Sequence, residues 1–154
     1  GGSLFGKLAQ AGAELLIKTL PSIEQGTVTP EKQPQESPTP YAAMITKQMG
    51  LMDFSKPAAE LERLVRGLNP WPSAYTFVNG KTLKVWKSVL GQETSDAEPG
   101  TVMGTDAQGI HVACKDGVLI LTEVQLEGKK RMEAEVFLRG YHMEAGTRFT
   151  DHKE

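Results

Sequence analysis

Apolar residues recur at helical spacing along the first twenty positions, where Leu4, Leu8, Ala11, Leu15 and Leu16 share one stripe. Ser3 supplies an N-cap and Pro21 a stop. Gly12, beside the stripe, costs such a helix about 1 kcal/mol relative to alanine. One helix cannot bury its own stripe, so this one is expected to pack on another element, for which a domain upstream is the first choice. Apolar positions then nearly vanish. Pro21, Pro30, Pro34, Pro38 and Pro40 crowd together, and between Gly26 and Pro40 the only large apolar residue is Val28. That composition predicts an extended, partly polyproline linker. The chain thus divides into a helical arm, 1–25, a linker, 26–40, and a body, 41–154.

The body opens with a partly helical stretch from Tyr41 to Phe54. Ser55 offers an N-cap, and Leu61, Leu64, Val65 and Leu68 follow at i, i+3, i+4 and i+7, predicting a helix over 56–68 with Pro57 in its first turn. Pro70 pushes Asn69 out of the helical region and ends it. Trp71, between two prolines at the end of an apolar helix, is expected in the core. The period then becomes two. Strands at 73–78 and 81–90 are joined by Asn79-Gly80, a hairpin signal because both residues accept positive φ. Simple alternation sends Leu83, Val85 and Val89 to one face and Lys84, Trp86 and Ser88 to the other. After a polar loop come strands at 101–104, 110–114 and 118–126, then a helix over 132–140. Five strands at short spacing with glycine-rich turns predict a small barrel rather than a βαβ sheet.

Composition narrows the chemistry. Of 154 residues, 39% are hydrophobic and 23% charged, as in an ordinary globular protein. No apolar run approaches the roughly 18–20 residues of a membrane span, and no secretory leader is apparent. A single cysteine, Cys114, rules out an internal disulfide framework and a multi-cysteine zinc site, and the expected setting is a reducing cytoplasm. Cys114 falls on the inward face of a strand and reads as a core thiol. His111 alternates opposite Ile110 and Val112, which predicts a surface position; His152 lies in the charged tail. Asp53 reads as a turn residue. The sequence contains no His-x-x-x-His pair, no Gly-x-Ser-x-Gly, no P-loop and no dinucleotide fingerprint. No catalytic or metal-ligating constellation is expected on this chain.

Charge is more informative. From Arg63 to Gln92 the charged residues are Arg63, Arg66, Lys81, Lys84 and Lys87, with no acid among them, so the remainder of a chain of net charge −2 carries −7. Lys129-Lys130-Arg131 forms a second basic block, and Arg139 and Arg148 follow it. Clustered cations suit nucleic-acid phosphates, whose neutralisation releases condensed counterions. A solvated strand surface with lysines guarding an edge would carry the same residues. By spacing alone Lys84 falls on the opposite strand face from Lys81 and Lys87, although a hairpin tip could gather all three at one rim.

Longer runs resemble a known family. Asp53-Phe54-Ser55-Lys56-Pro57-Ala58-Ala59-Glu60-Leu61 and Arg66-Gly67-Leu68-Asn69-Pro70-Trp71-Pro72-Ser73-Ala74-Tyr75-Thr76 resemble the C-terminal half of the methionyl-tRNA formyltransferases. So do Gly80 to Lys87, Pro99-Gly100-Thr101-Val102, Asp116 to Leu119, Gly128 to Met132 and Gly146-Thr147-Arg148-Phe149. The arm, with Leu4, Lys7-Leu8, Gly12-Ala13, Leu15 and Leu20, is similar to the last helix of that family's catalytic domain. The resemblance runs from about Leu4 to Phe149, and its most specific element is Arg66 to Pro72.

The resemblance implies a mainly β fold: a small five-stranded OB-like (Greek-key) barrel with a preceding and a following helix, plus the helical arm. It implies a parent enzyme that moves a formyl group from 10-formyltetrahydrofolate to the amino group of methionine on initiator tRNA. In that family an upstream Rossmann-like domain holds folate and the catalytic Asn, His and Asp, and the barrel helps hold tRNA. No catalytic residue carries over, so this chain alone is expected to be inactive. For tRNA contact the resemblance singles out Lys47 and Arg139; Met44 departs from it, since relatives commonly carry lysine there. The charge pattern adds Arg66, Lys81, Lys84, Lys87, Lys129, Lys130 and Arg131. For Arg66 an ion pair with Glu62, four residues earlier, is the competing role. Trp71 and Trp86 are candidates to stack on bases. Two other readings remain: the C-terminal domain of a sugar-nucleotide formyltransferase, and a free-standing oligonucleotide-binding module.

Overall fold

A computed structural model describes residues 1–153 and divides the chain into two compact units, Gly1–Met44 and Ile45–Glu154. The first unit contains helix α1, Gly2–Glu24, followed by extended chain. Pro21 does not stop this helix. A proline removes one N–H, and in so exposed a helix water can serve the single carbonyl left over; the helix continues to Glu24, and Gln25 N–H donates to the Pro21 carbonyl at 3.0 Å. Ser3 therefore lies inside the helix, with Gly1 at the cap. Leu4, Leu8, Leu15, Leu16 and Leu20 are all exposed.

In the second unit a 3-10 turn at Lys47–Gly50 precedes helix α2, Ala58–Leu68. Ser55 is not its cap. The Ser55 amide and hydroxyl both donate to Asp53 Oδ1, at 3.0 and 2.6 Å, so Asp53 organises a local turn. The helix begins at Ala58, whose N–H donates to Asp116 Oδ1 at 2.9 Å. The cap is thus a carboxylate from a distant turn, which no local sequence signal announces.

The strands are β1 Ala74–Val78, β2 Lys81–Leu90, β3 Val102–Thr105, β4 Ile110–Cys114, β5 Gly117–Leu126 and β6 Met132–Glu133, followed by helix α3, Ala134–Gly140. The sheet is wholly antiparallel in the order β1-β2-β5-β4-β3, with β6 added to β5. Six strands replace the five expected because the first residues assigned to the last helix pair with β5 instead. Asn79 and Gly80 turn the first hairpin at φ 48° and 68°. The result is mainly β with flanking helices, an OB-like arrangement.

Residues 146–150 close the sheet. Thr150 exchanges backbone bonds with Phe77 on the free edge of β1, at 3.0 and 3.1 Å. On the free edge of β3, Val102 N–H donates to the Thr147 carbonyl and Gly146 N–H to the Val102 carbonyl, both at 2.8 Å. Inside lie Leu83 and Val85, Val102, Ile110 and Val112, and Leu119 and Leu121, with Leu61 and Val65 of α2 and Phe137 of α3 in the same core. Phe149 joins it against Phe54, ring centroids 5.8 Å apart. Cys114 is a core thiol as expected, pushed up to about 12 chiefly by burial.

Two positions depart from the burial the sequence predicts. His111 is largely covered, with its Nε2 3.0 Å from Asp106 Oδ1 in the β3–β4 turn, and this contact holds the Asp106 carboxyl below its usual range. Trp71 is not in the core but 59% exposed, because α2 buries Ala58, Leu61 and Val65 and the chain leaves the core before Pro70.

Candidate nucleic-acid interface

The geometry of the basic face follows from two compensating bulges. Along β2 and β5 the register runs Lys84↔Gln125 and Val85↔Val124, then Lys87↔Glu123, then Ser88↔Leu121. Trp86 is thus an extra residue on β2, and Thr122 an extra residue on β5. Each bulge reverses the side-chain parity of its strand. Leu119 and Leu121 point into the core before Thr122, and Val124 and Leu126 after it. On β2, Lys84 and Lys87 come out on the same face because the bulge lies between them, so a spacing of three does not separate them. Val89, expected inside, is 47% exposed, and Ser88 turns inward in its place.

Trp86 is the centre of this face. The Arg131 guanidinium sits 4.5 Å from its ring centroid and the Lys84 ammonium 5.8 Å away, both as cation–π contacts. The indole N–H donates to Gln125 Oε1 at 3.2 Å. Gln125 Nε2 in turn donates to the Lys129 carbonyl at 3.0 Å, which ties the Lys129-Lys130 turn to the same face. Beside the ring, Glu123 accepts from both Arg131 Nε and Nη2, the latter at 3.0 Å, and from Lys87 Nζ at 2.8 Å. Lys87 also reaches Glu133 at 3.6 Å. Arg131 and Lys87 hold the Glu123 carboxyl well down, to about 2, and Glu123 raises both of them in return.

Lys84, Lys87 and Arg131 therefore share one exposed platform with the Lys129-Lys130 turn at its border. Two carboxylates, Glu123 and Glu133, neutralise part of it. Neither stands out in the sequence, where both lie far from the acid-free stretch; pairing across β2, β5 and β6 brings them in. Among the described residues Lys84, Lys129 and Lys130 form no ion pair. Their charges remain available to a ligand.

The other predicted residues lie elsewhere. Lys81 stands at the turn of the first hairpin, opposite Val78; next to it Thr82 N–H donates to Glu127 Oε2 at 3.0 Å, and Lys153 holds Glu127 at 3.0 Å. Arg66 makes the expected pair with Glu62, Nε to Oε1 at 3.0 Å, on the exposed side of α2. Arg139 pairs with Glu135 at 2.6 Å along α3. Lys47 is exposed on the 3-10 turn.

The family model described as "Formyl transferase, C-terminal domain" matches residues 44–142. A methionyl-tRNA formyltransferase from Lachnospira eligens is 50% identical over 151 residues, which cover 95% of this chain and 48% of that relative. One from Bacillus subtilis is 48% identical over 146 residues, covering 94% of this chain and 46% of the relative. The chain thus spans about half the length of the curated relatives it matches. Among solved structures, HypX from Aquifex aeolicus in complex with tetrahydrofolic acid is similar over 81% of this chain and 22% of its own, with a TM-score of 0.59 and 17% identity. At that identity the likeness speaks for the fold alone.

Proposed function

The chain belongs to the formyl transferase C-terminal domain family, and on that premise we propose that it is the tRNA-holding part of a methionyl-tRNA formyltransferase. In this reading the parent enzyme works in the cytoplasm and moves a formyl group from 10-formyltetrahydrofolate to the α-amino group of methionine on initiator tRNA. An upstream catalytic domain of the same protein binds the donor and carries out the transfer. This chain grips the tRNA backbone, with Lys84, Lys87, Lys129, Lys130 and Arg131 as the docking centre and Lys47, Arg66, Lys81 and Arg139 as outlying contacts.

One observation carries the proposal. The paired bulges at Trp86 and Thr122 gather cations from β2 and from the β5–β6 turn onto one exposed face. Phosphates strung along a nucleic-acid strand need such a spread of donors rather than one pocket, and the gain comes from releasing counterions. The folate donor does not suit the groove beside Phe54 and Phe149. That groove, of about 700 Å³, is rimmed by Asp53, Glu98 and Asp151, and its Arg148 is already paired with Glu98 at 2.6 Å. Those acids would repel the glutamate carboxylates of a folate.

The test is a titration of the chain with initiator tRNA, an elongator tRNA and a hairpin DNA at low and near-physiological salt. Binding is expected to weaken steeply with salt. Lys84→Glu combined with Lys129→Glu and Lys130→Glu should weaken it further and lower the slope of log K against log salt by about one for each phosphate no longer neutralised. These three lysines are chosen because reversing them breaks no ion pair of the fold. Absence of binding at low salt would refute the proposal and favour a small sugar-nucleotide substrate for the parent enzyme.

A further inference from the structure

Trp71 is 59% exposed, yet its backbone is fixed. Ser73 N–H donates to the Leu68 carbonyl at 3.0 Å and closes the turn that carries it. Asn69 Nδ2 donates to the Trp86 carbonyl at 2.9 Å and bolts the turn to the bulge of β2. Pro70 and Pro72 restrict φ on both sides of the indole, and Ser73 and Ala74 beyond them are fully buried. An indole held out in water forgoes the burial that normally stabilises it, and a pre-fixed aromatic loses little entropy when something covers it. The two tryptophans are not equivalent. The ring of Trp86 is flanked by Arg131 and Lys84, whereas Trp71 makes no ring or cation–π contact among the described residues.

We propose that Trp71 is a stacking platform for one unpaired nucleobase of the bound RNA, beside the cationic face of β2. The inference rests on the tRNA reading and adds to it a contact that does not depend on charge. A nucleobase fits better than a protein side chain because cations stand near the platform: Lys84, which forms no ion pair among the described residues, and Arg131, paired with Glu123, flank the bulge to which the turn is tied, and Arg66, paired with Glu62, lies in the last turn of α2. They match the phosphates on either side of a base. Every base offers a π face, so the contact tolerates any sequence but requires that the base be out of a duplex.

The chain holds two tryptophans, so each can be made the sole reporter. Fluorescence is followed while the chain is titrated with a short single-stranded RNA, the same RNA as a blunt duplex, and initiator tRNA. In Trp86→Phe, emission from Trp71 should be quenched by the single strand and by tRNA but not by the duplex. In Trp71→Phe the quench should largely disappear. Trp71→Ala should weaken binding of the single strand roughly 5- to 100-fold, with Trp71→Phe in between. The slope of log K against log salt should stay at the parent value, unlike that of the lysine variants. Equal affinity of Trp71→Ala and the parent for single strand and tRNA would overturn the inference while leaving the tRNA reading intact. So would a Trp71→Ala effect that appears only as a change in self-association, which would make Trp71 a protein contact. Failure of the parent chain to bind any RNA at low salt would overturn both.

Discussion

Glu123 is 8% exposed and carries three hydrogen bonds from two cations, so its charge is built into the fold as much as into the basic face. Its carboxyl titrates near 4.5 when free and at about 2 here. A group whose folded value is lowered stabilises the protein above its unfolded value and loses that contribution as pH falls toward the folded one. Stability of the chain should therefore decline between about pH 4.5 and pH 2, and Glu123→Gln should flatten that part of the profile. Urea unfolding at a series of pH values reads this directly. At pH 7 the same substitution should cost about 1–2 kcal/mol, because Arg131 and Lys87 are partly exposed and water takes over some of their bonds.

At the scale of elements, the β4 entry depends on Gly109. It has φ +148°, and a Cβ there would stand 2.1 Å from the Leu121 carbonyl oxygen of the neighbouring strand. Gly109→Ala should thus cost about 3 kcal/mol or more and lower the melting temperature by roughly 10 °C or more, measured by circular dichroism. The strands themselves are legible in the sequence, since alternation and Asn79-Gly80 mark the ends of β1 and β2 almost to the residue. The bulges are not. A bulge is a property of two strands in register, and only the switch of apolar parity from Leu119 and Leu121 to Val124 and Leu126 hints at one; Trp86 gives no such hint. The acid-free run from Arg63 to Gln92 points to Lys84 and Lys87, but their shared face, and the carboxylates opposite them, exist only once β5 and β6 are paired. Pro21 and Ser55 mislead for a related reason. Both are strong local signals, and solvent at the exposed helix and Asp116 across the fold decide the outcome instead.

For the whole body, closure rests on residues 146–150. They satisfy the outer edge of β3 and, beyond the Met52–Tyr75 contact, that of β1, and they place Phe149 in the core. Ending the chain after Ala145 should therefore abolish cooperative thermal unfolding rather than merely lower its midpoint, while Phe149→Ala should retain a transition and lose about 3–5 kcal/mol. Calorimetry separates the two outcomes. The same closing segment bears on how the protein is made. Thr76, whose hydroxyl donates to the Thr150 carbonyl, is 74 positions ahead of its partner. On a ribosome β1 emerges long before the segment that will cover it, and β3 also waits. Through that interval the nascent chain presents a bare edge on β3 and an edge on β1 covered only at Tyr75, where Met52 N–H donates to its carbonyl, each a template for another chain. The window of greatest hazard is thus set by translation speed between residues 78 and 150, and slow codons in that interval would raise the fraction lost to aggregation.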